Sequence, residues 1–474
     1  MARRIFLFAV VALCVFSMCG CKEQKQYATI EEAVRDGVVL GERIVIDGID
    51  VSGMGILEAR RLLVDAQNER VGAVSYIVRA GGESVMIPAS ELGIRFNTDD
   101  VLAQAASPPR KTGFQEKETR AFETSVSVSP ISVVRAAQQT ALTLHKEPTN
   151  AEVFFDVNAE TNFTYREETQ GIQVDDKDLS LWLTQKALVL ESGEIDAQAS
   201  DIPADYTMED AEYDTQLISE FTTSFKGSTY SKASRVFNII KAASILDGLT
   251  IEPETTFSIN ETLGPRNGEN GWRVATGIKY GAYVQEYGGG VCQVSTTLYN
   301  AALMADLTIT DRSHHSWPLG YVPVGRDATI STGGPDLCFV NNTGAPIFIR
   351  AFTSEEDKTV TVRIYGRPLA EGVTIRVTSK KTGTLEDLGT EVLVDPALAP
   401  GEVNIVREAR IGITAETYKE YYAADGILLK TEMVSRDKYR SIQGLMYISP
   451  PVETPSPTPM QTLPVETEDP GQWD

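Results

Sequence analysis

Histidine is almost missing from this chain of 474 residues: there are three, and two of them, His314 and His315, are adjacent. Cysteine is nearly as scarce. Of five, Cys14, Cys19 and Cys21 lie at the extreme N-terminus, which leaves the body with Cys292 and Cys338. A disulfide framework is therefore excluded. One bridge between the two body cysteines is the most the chain can form, and it would compete with a free thiol. No CxxC or HExxH spacing occurs, so His314, His315 and Cys292 do not add up to a metal site, and no cofactor is expected. Basic residues are also short, with 43 Lys and Arg against 66 Asp and Glu, a net charge of −23. That balance argues against nucleic acid, which needs basic surface, and against adsorption on an anionic membrane by charge.

Long apolar runs are absent too, apart from Ile5 through Met18 behind Arg3 and Arg4. This run is short for a membrane span and suits the apolar region of a signal sequence. It ends in Met18-Cys19-Gly20-Cys21-Lys22, which resembles a bacterial lipoprotein cleavage site, although Met18 stands where leucine is usual. Residues 1–21 are read as a signal and lipoprotein segment, with Cys21 as the lipidated first mature residue. Ordinary secretion and an uncleaved anchor are the alternatives. Each puts the body outside the cytoplasm. Residues 450–474, rich in Pro, Thr and Glu, are expected to be disordered.

What remains is 42% hydrophobic overall, enough for real cores, and long enough for three or four domains. A short similarity helps to divide it. Gly93-Ile94-Arg95-Phe96-Asn97-Thr98 and Gly171-Ile172-Gln173-Val174-Asp175-Asp176 both read as strand, acidic or polar cap, then helix. The expectation is two copies of a small α+β module, at 27–140 and 141–206, with Ser107 to Thr124 as a linker. Residues 206–247 read as mostly helical, with Val236, Ile239, Ile240, Ala243 and Leu246 on one stripe and Gly248 as the stop. Residues 251–290 are rich in turns. Ala345–Phe352 and Thr359–Gly366 alternate as a hairpin, and only strand-like runs follow from 370 to 449.

The densest chemistry lies at Gly288-Gly289-Gly290-Val291-Cys292-Gln293-Val294-Ser295. Val291, Val294, Leu298, Ala301 and Ala305 fall on one helical stripe, so Cys292 sits in the first turn. A helix N-terminus lowers a thiol's pKa through its free N–H groups and dipole. With an imidazole about twenty residues on, the segment holds the minimum for cysteine nucleophilic catalysis. Burial as a plain packing residue is the competing reading, since cysteine is among the most buried residue types.

Several segments together resemble the VanW family: Arg235, Asn238-Ile239, Leu246-Asp247-Gly248, Phe257-Ser258-Ile259-Asn260, Gly264-Pro265-Arg266, the glycine–cysteine run, His315-Ser316-Trp317-Pro318 and Gly325-Arg326-Asp327. The resemblance implies a VanW domain over 225–366, of α+β fold, in a family named after a protein of vancomycin-resistance clusters. Residues 47–206 resemble the peptidoglycan-binding modules that often precede it. Pro400-Gly401-Glu402-Val403, Gly412 and Asp425-Gly426 resemble a G5 domain, implying an all-β module over 370–449. The implied whole is an α+β multidomain, lipid-anchored protein of the cell envelope that binds peptidoglycan or a related wall glycan. The alternative is a Cys/His thiol enzyme acting on wall peptides. For that enzyme Cys292 is the candidate nucleophile, His315 the base, Asp327 its orienting partner, and Gln293 or the amides after Gly290 the oxyanion donors. For binding, the candidates are Arg266 and Arg326 toward carboxylates, Trp272 and Trp317 toward sugars, and Gly289, Gly290 and Ser295 lining the cleft.

Overall fold

The computed structural model describes residues 25–108, 118–227, 232–279, 282–369 and 372–451. Cys21 with its signal segment, and residues 452–474 of the tail, lie outside the described residues. Strands outnumber helices, and the chain divides into two compact units. One runs to Asn150 and resumes over Glu168–Asp205; the other holds Ala151–Glu167 and everything from Tyr206. No helix among the described residues is long and apolar enough to cross a membrane.

The first unit contains two small α+β cores, but they do not part at residue 140. One gathers helices Ile30–Arg35, Ile56–Gly72 and Thr98–Ala106 around a short sheet of Ile49–Asp50, Ile44–Ile46 and Arg120–Phe122. The other is built on the hairpin Ser75–Ala80/Glu83–Pro88, joined in parallel by Gly193–Asp196. Tyr76, Val78 and Ala80 alternate onto one face of that hairpin and are buried. Helices Pro130–Leu144 and Asp176–Val189 share their core, through Val133, Ala137, Leu179 and Leu183. The hairpin and helix Pro130–Leu144, expected in the first module, thus belong to the core of the second. The two Gly-Ile segments do behave alike locally, each being a strand that runs into a helix. Asp175 caps its helix by accepting from the Lys177 and Asp178 amides.

In the second unit an antiparallel sheet has the order Gln216–Ser224, Thr359–Gly366, Ile347–Ser354, Leu249–Ile251. Its first strand was expected to be helical. The run Ile218-Ser219-Glu220-Phe221-Thr222-Thr223 is β-branched and alternating, and pairing with Thr359–Gly366 outweighs the helical reading. Helices Ala233–Leu246 and Val291–Met304 share an apolar core with Ile347, Ile349, Val360, Val362 and Ile364. Phe348 and Tyr365 take the opposite face by alternation, where Phe163 of the hairpin Glu152–Phe155/Phe163–Arg166 meets both rings edge-on. A second sheet, Thr256–Ser258, Leu337–Val340 and Thr308–Arg312, completes this part.

After residue 372 all described elements are strands, in two three-stranded sheets. The sheet Thr374–Thr384/Ile413–Tyr422/Leu428–Tyr439 is not self-contained. Ile375, Val377 and Tyr421 are buried in the same core as the helix Val291–Met304. The expected break near residue 370 is therefore no break in packing. Ile375→Ala should cost about 2–4 kcal/mol by cavity formation. It should lower the urea midpoint of the transition that also unfolds the Val291–Met304 helix, with an unchanged m-value; an effect confined to residues beyond 372 would contradict the shared core.

Candidate functional site

The glycine run is a close-approach device. Gly288 and Gly290 have φ of 77° and 106°, in the region that disfavours side chains. A Cβ on Gly289 would lie 2.5 Å from the Ala275 carbonyl oxygen, and one on Gly290 would lie 2.6 Å from Arg235 Cγ. Asn238 locks the turn by donating to the Gly289 and Arg273 carbonyls at 3.1 and 2.9 Å and accepting from the Arg273 amide. The helix Val291–Met304 then starts with its first-turn amides pointing back at the turn. Val291 and Gln293 donate to the Gly288 and Gly290 carbonyls. The Cys292 amide has no protein acceptor among the described residues.

Cys292 is partly accessible, and its sulfur lies 3.4 Å from the Ile330 carbonyl oxygen and 3.7 Å from Thr329 Oγ1. His315 and Asp327 complete a buried set. Asp327 Oδ2 accepts from the His315 backbone N–H at 2.7 Å and lies 2.6 Å from His315 Nδ1. A carboxylate only accepts, so Nδ1 carries a proton and Nε2 is left for the sulfur. Burial pushes the thiol up, but the hydrogen bond and charge of His315, with further hydrogen bonds to the Ile330 backbone and the Thr329 side chain, bring it below its ordinary value. Burial likewise disfavours the imidazolium, yet its bonds to Asp327 and Cys292 raise His315 to about 9. Asp327, also opposed by burial, is held at about 2, chiefly by His315 and further by Tyr439. The arrangement favours a thiolate–imidazolium pair braced by a carboxylate. Cys338 is a separate free thiol beside Asp336, and burial followed by that carboxylate pushes it to about 11.

These residues fall inside a stretch, 234–365, that matches the family model described as VanW like protein. This stretch is a VanW domain. Over 141 residues the chain is 42% identical to the uncharacterized protein YoaR of Bacillus subtilis (strain 168), covering 30% of this chain and 46% of that one. Over 115 residues it is 35% identical to the vancomycin B-type resistance protein VanW of Enterococcus faecalis (strain ATCC 700802 / V583), covering 23% and 42%. The chain thus spans less than half the length of these curated relatives. Among solved structures, an IgA1 protease G5 domain aligns at 18% identity and TM-score 0.13, over 17% of this chain and 92% of its own. An L,D-transpeptidase of Enterococcus faecium aligns at 10% identity and TM-score 0.17, over 47% and 74%. Scores this low do not establish a shared fold.

Within the VanW domain several expected site residues are occupied elsewhere. Gln293 is fully buried; it accepts from Arg235 Nη2 at 3.0 Å and donates to Thr223 Oγ1 at 3.1 Å, so its side chain is no oxyanion donor. Ser295, also buried, donates to the Ala328 carbonyl at 2.7 Å and fastens the loop just after Asp327. Trp272 is core, 3% exposed, with Lys241 over its ring. Trp317, 6% exposed, lies under Arg410 and against Tyr283. Arg326 turns the other way from Asp327, bonding Asn300 and stacking on Phe221. Gly289 and Gly290 are filled by Ala275 and Arg235, not by a ligand cleft. Arg266 differs. Half-buried and packed on Gly288, it donates to Asn260 Oδ1 and the Gly264 carbonyl and feels the charge of the Cys292 sulfur.

Sequence reasoning missed Tyr321, Arg312 and Tyr439. Tyr321 bonds Thr296, and burial followed by the Cys292 charge raises its hydroxyl well above the usual range. Arg312 and Tyr439 touch Asp327, and no spacing marks either of them. Among the described residues no group of three or more His, Cys, Asp or Glu is arranged to hold a metal ion.

Two measurements follow from these electrostatics. At neutral pH Cys338, at about 11, is far less ionised than a thiol held below 9.0, so iodoacetamide should label Cys292 at least ~10-fold faster, as followed by peptide mass spectrometry. Equal labelling would contradict the depressed thiol. The Asp327 carboxyl, depressed in the fold, contributes stability above roughly pH 4 that is lost as pH falls through the folded value near 2; His315, raised, contributes below roughly pH 6.5 and loses it as pH rises through about 9. The Tm gap between wild type and Asp327→Asn should therefore be widest between about pH 4 and 6.5 and narrow above pH 9.

Proposed function

We propose that the VanW domain is a thiol-dependent acyl-transfer site acting on peptides of the cell wall. The observation that carries this reading is the 2.6 Å contact of His315 Nδ1 with buried Asp327, on a ring whose other side interacts with Cys292. The Cys292 thiolate attacks an amide carbonyl, forming a C–S bond and an oxyanion. The unengaged Cys292 amide at the helix start is the donor best located for that oxyanion. Collapse breaks the C–N bond, and the amine leaves with the proton from His315 Nε2. Water or a second amine then attacks the thioester and gives its proton to His315; the C–S bond breaks, and the thiolate returns. Arg266 is suited to a substrate carboxylate beside the sulfur.

The wall as the setting rests on the printed name of the Enterococcus faecalis relative and on the sequence resemblances to wall-associated modules. A role in glycopeptide resistance and lipid anchoring at Cys21 outside the cytoplasm belong to the same reading. A purely binding role has less support, because Trp272 and Trp317, its expected sugar platforms, are covered.

Cells or sacculi treated with wild-type protein should show an altered muropeptide profile, absent with Cys292→Ala and reduced roughly 100-fold or more in rate with Asp327→Asn. A Cys292→Ala profile identical to wild type would end the catalytic reading. Both proteins should co-sediment with peptidoglycan; failure of both to do so would count against the wall.

A further inference from the structure

The carboxylate that braces His315 is itself held by residues more than a hundred positions away. Asp327 Oδ1 accepts from the Tyr439 hydroxyl at 2.5 Å, and the same hydroxyl accepts from the Gly325 amide at 3.0 Å. Tyr439 ends the strand Leu428–Tyr439 and is 1% exposed. Two further contacts from this sheet bear on the same loop, one directly and one through Arg312 at the end of the strand Thr308–Arg312. Thr417 donates to the Gly325 carbonyl at 2.9 Å, and Asp437 accepts from Arg312 Nη1 at 2.7 Å. Arg312 in turn donates to the Asp327 and Gly325 carbonyls. Gly325, at φ 84°, leaves room for Thr417, whose Oγ1 would lie 2.6 Å from a Cβ there.

We propose that Tyr439 is a positioning residue for Cys292: by holding one oxygen of Asp327, it keeps the other on His315, so the C-terminal sheet sets the reactivity of the thiol. This rests on the reading of Cys292 as a nucleophile. Without the Tyr439 hydroxyl, the charged donor left to Oδ1 is Arg312 Nη2, 3.5 Å away. The carboxylate then turns toward the guanidinium, the Nδ1 bond lengthens, and the imidazolium that supports the thiolate is weakened. The titratable or charged groups around this arrangement are Cys292, Tyr299, Arg312, His314, His315, Tyr321, Arg326, Asp327 and Asp437. His314 packs its ring against Tyr439 at 4.6 Å, and its Nδ1 lies against the His315 carbonyl.

The test is the pH profile of Cys292 alkylation in wild type, Tyr439→Phe and Asp327→Asn, with Cys338 as internal reference. Phe keeps the ring packing and removes the hydroxyl. The expected result is a Cys292 profile moved up by at least about half a pH unit, a threefold loss of thiolate at fixed pH below it, with Cys338 unmoved. The His315 Nδ1–H proton resonance should shift or broaden in the same variant, which loosened packing elsewhere would not produce. If Asp327→Asn moves the profile and Tyr439→Phe leaves it in place, the positioning role is overturned and the nucleophile reading stands. If neither moves it, both fall. Should Tyr439→Phe not fold, Thr417→Val reaches the same loop through Gly325; an unchanged profile there overturns the proposal.

Discussion

An aspartate with 1% of its surface exposed stays ionised only where donors replace the water its carboxylate has lost. Asp327 meets that condition with the His315 amide and ring on one oxygen, and Tyr439 and Arg312 on or near the other. The candidate site depends on this arrangement. It fixes which His315 nitrogen carries the proton, and so which nitrogen faces sulfur. It also ties the loop 325–328 to the helix Val291–Met304, because Ser295 and Asn300 bind the Ala328 and Arg326 carbonyls.

The helix start shows a similar economy of function. The three glycines serve packing: they let the turn close on Arg266, Ala275 and Arg235 at the start of the helix that carries Cys292. Gln293 and Ser295, its polar neighbours, hold the helix against Arg235, Thr223 and Ala328. A polar run beside a candidate nucleophile can thus be structural while, among the described residues, the Cys292 amide has no acceptor.

How much of this was legible in the sequence depended on range. Cys292 in a first turn, the helical stripe ending at Leu246 and the 359–366 strand were read from periodicity, because side-chain spacing is a local property. Cys292, His315 and Asp327 were paired from residue chemistry and a family resemblance. The strand Gln216–Ser224 was missed because its polar alternation acquires meaning only when it pairs with Thr359–Gly366. Trp272, Trp317, Arg326 and Gln293 were given roles from residue type, which says what a side chain can bind, not which neighbours already engage it.

The sequence by itself determined the scarce ingredients: two body cysteines, two adjacent histidines, a glycine turn before a helix, and a VanW stretch around them. Tertiary structure alone decided that Cys292 and Cys338 stay apart as free thiols, that His315 faces the first of them, and that a tyrosine 112 residues beyond Asp327 holds its carboxylate. The physical reason is that thiolate reactivity depends on burial and on the donors within a few ångströms. Those are fixed by packing between segments far apart in the chain, and local pattern carries no trace of them.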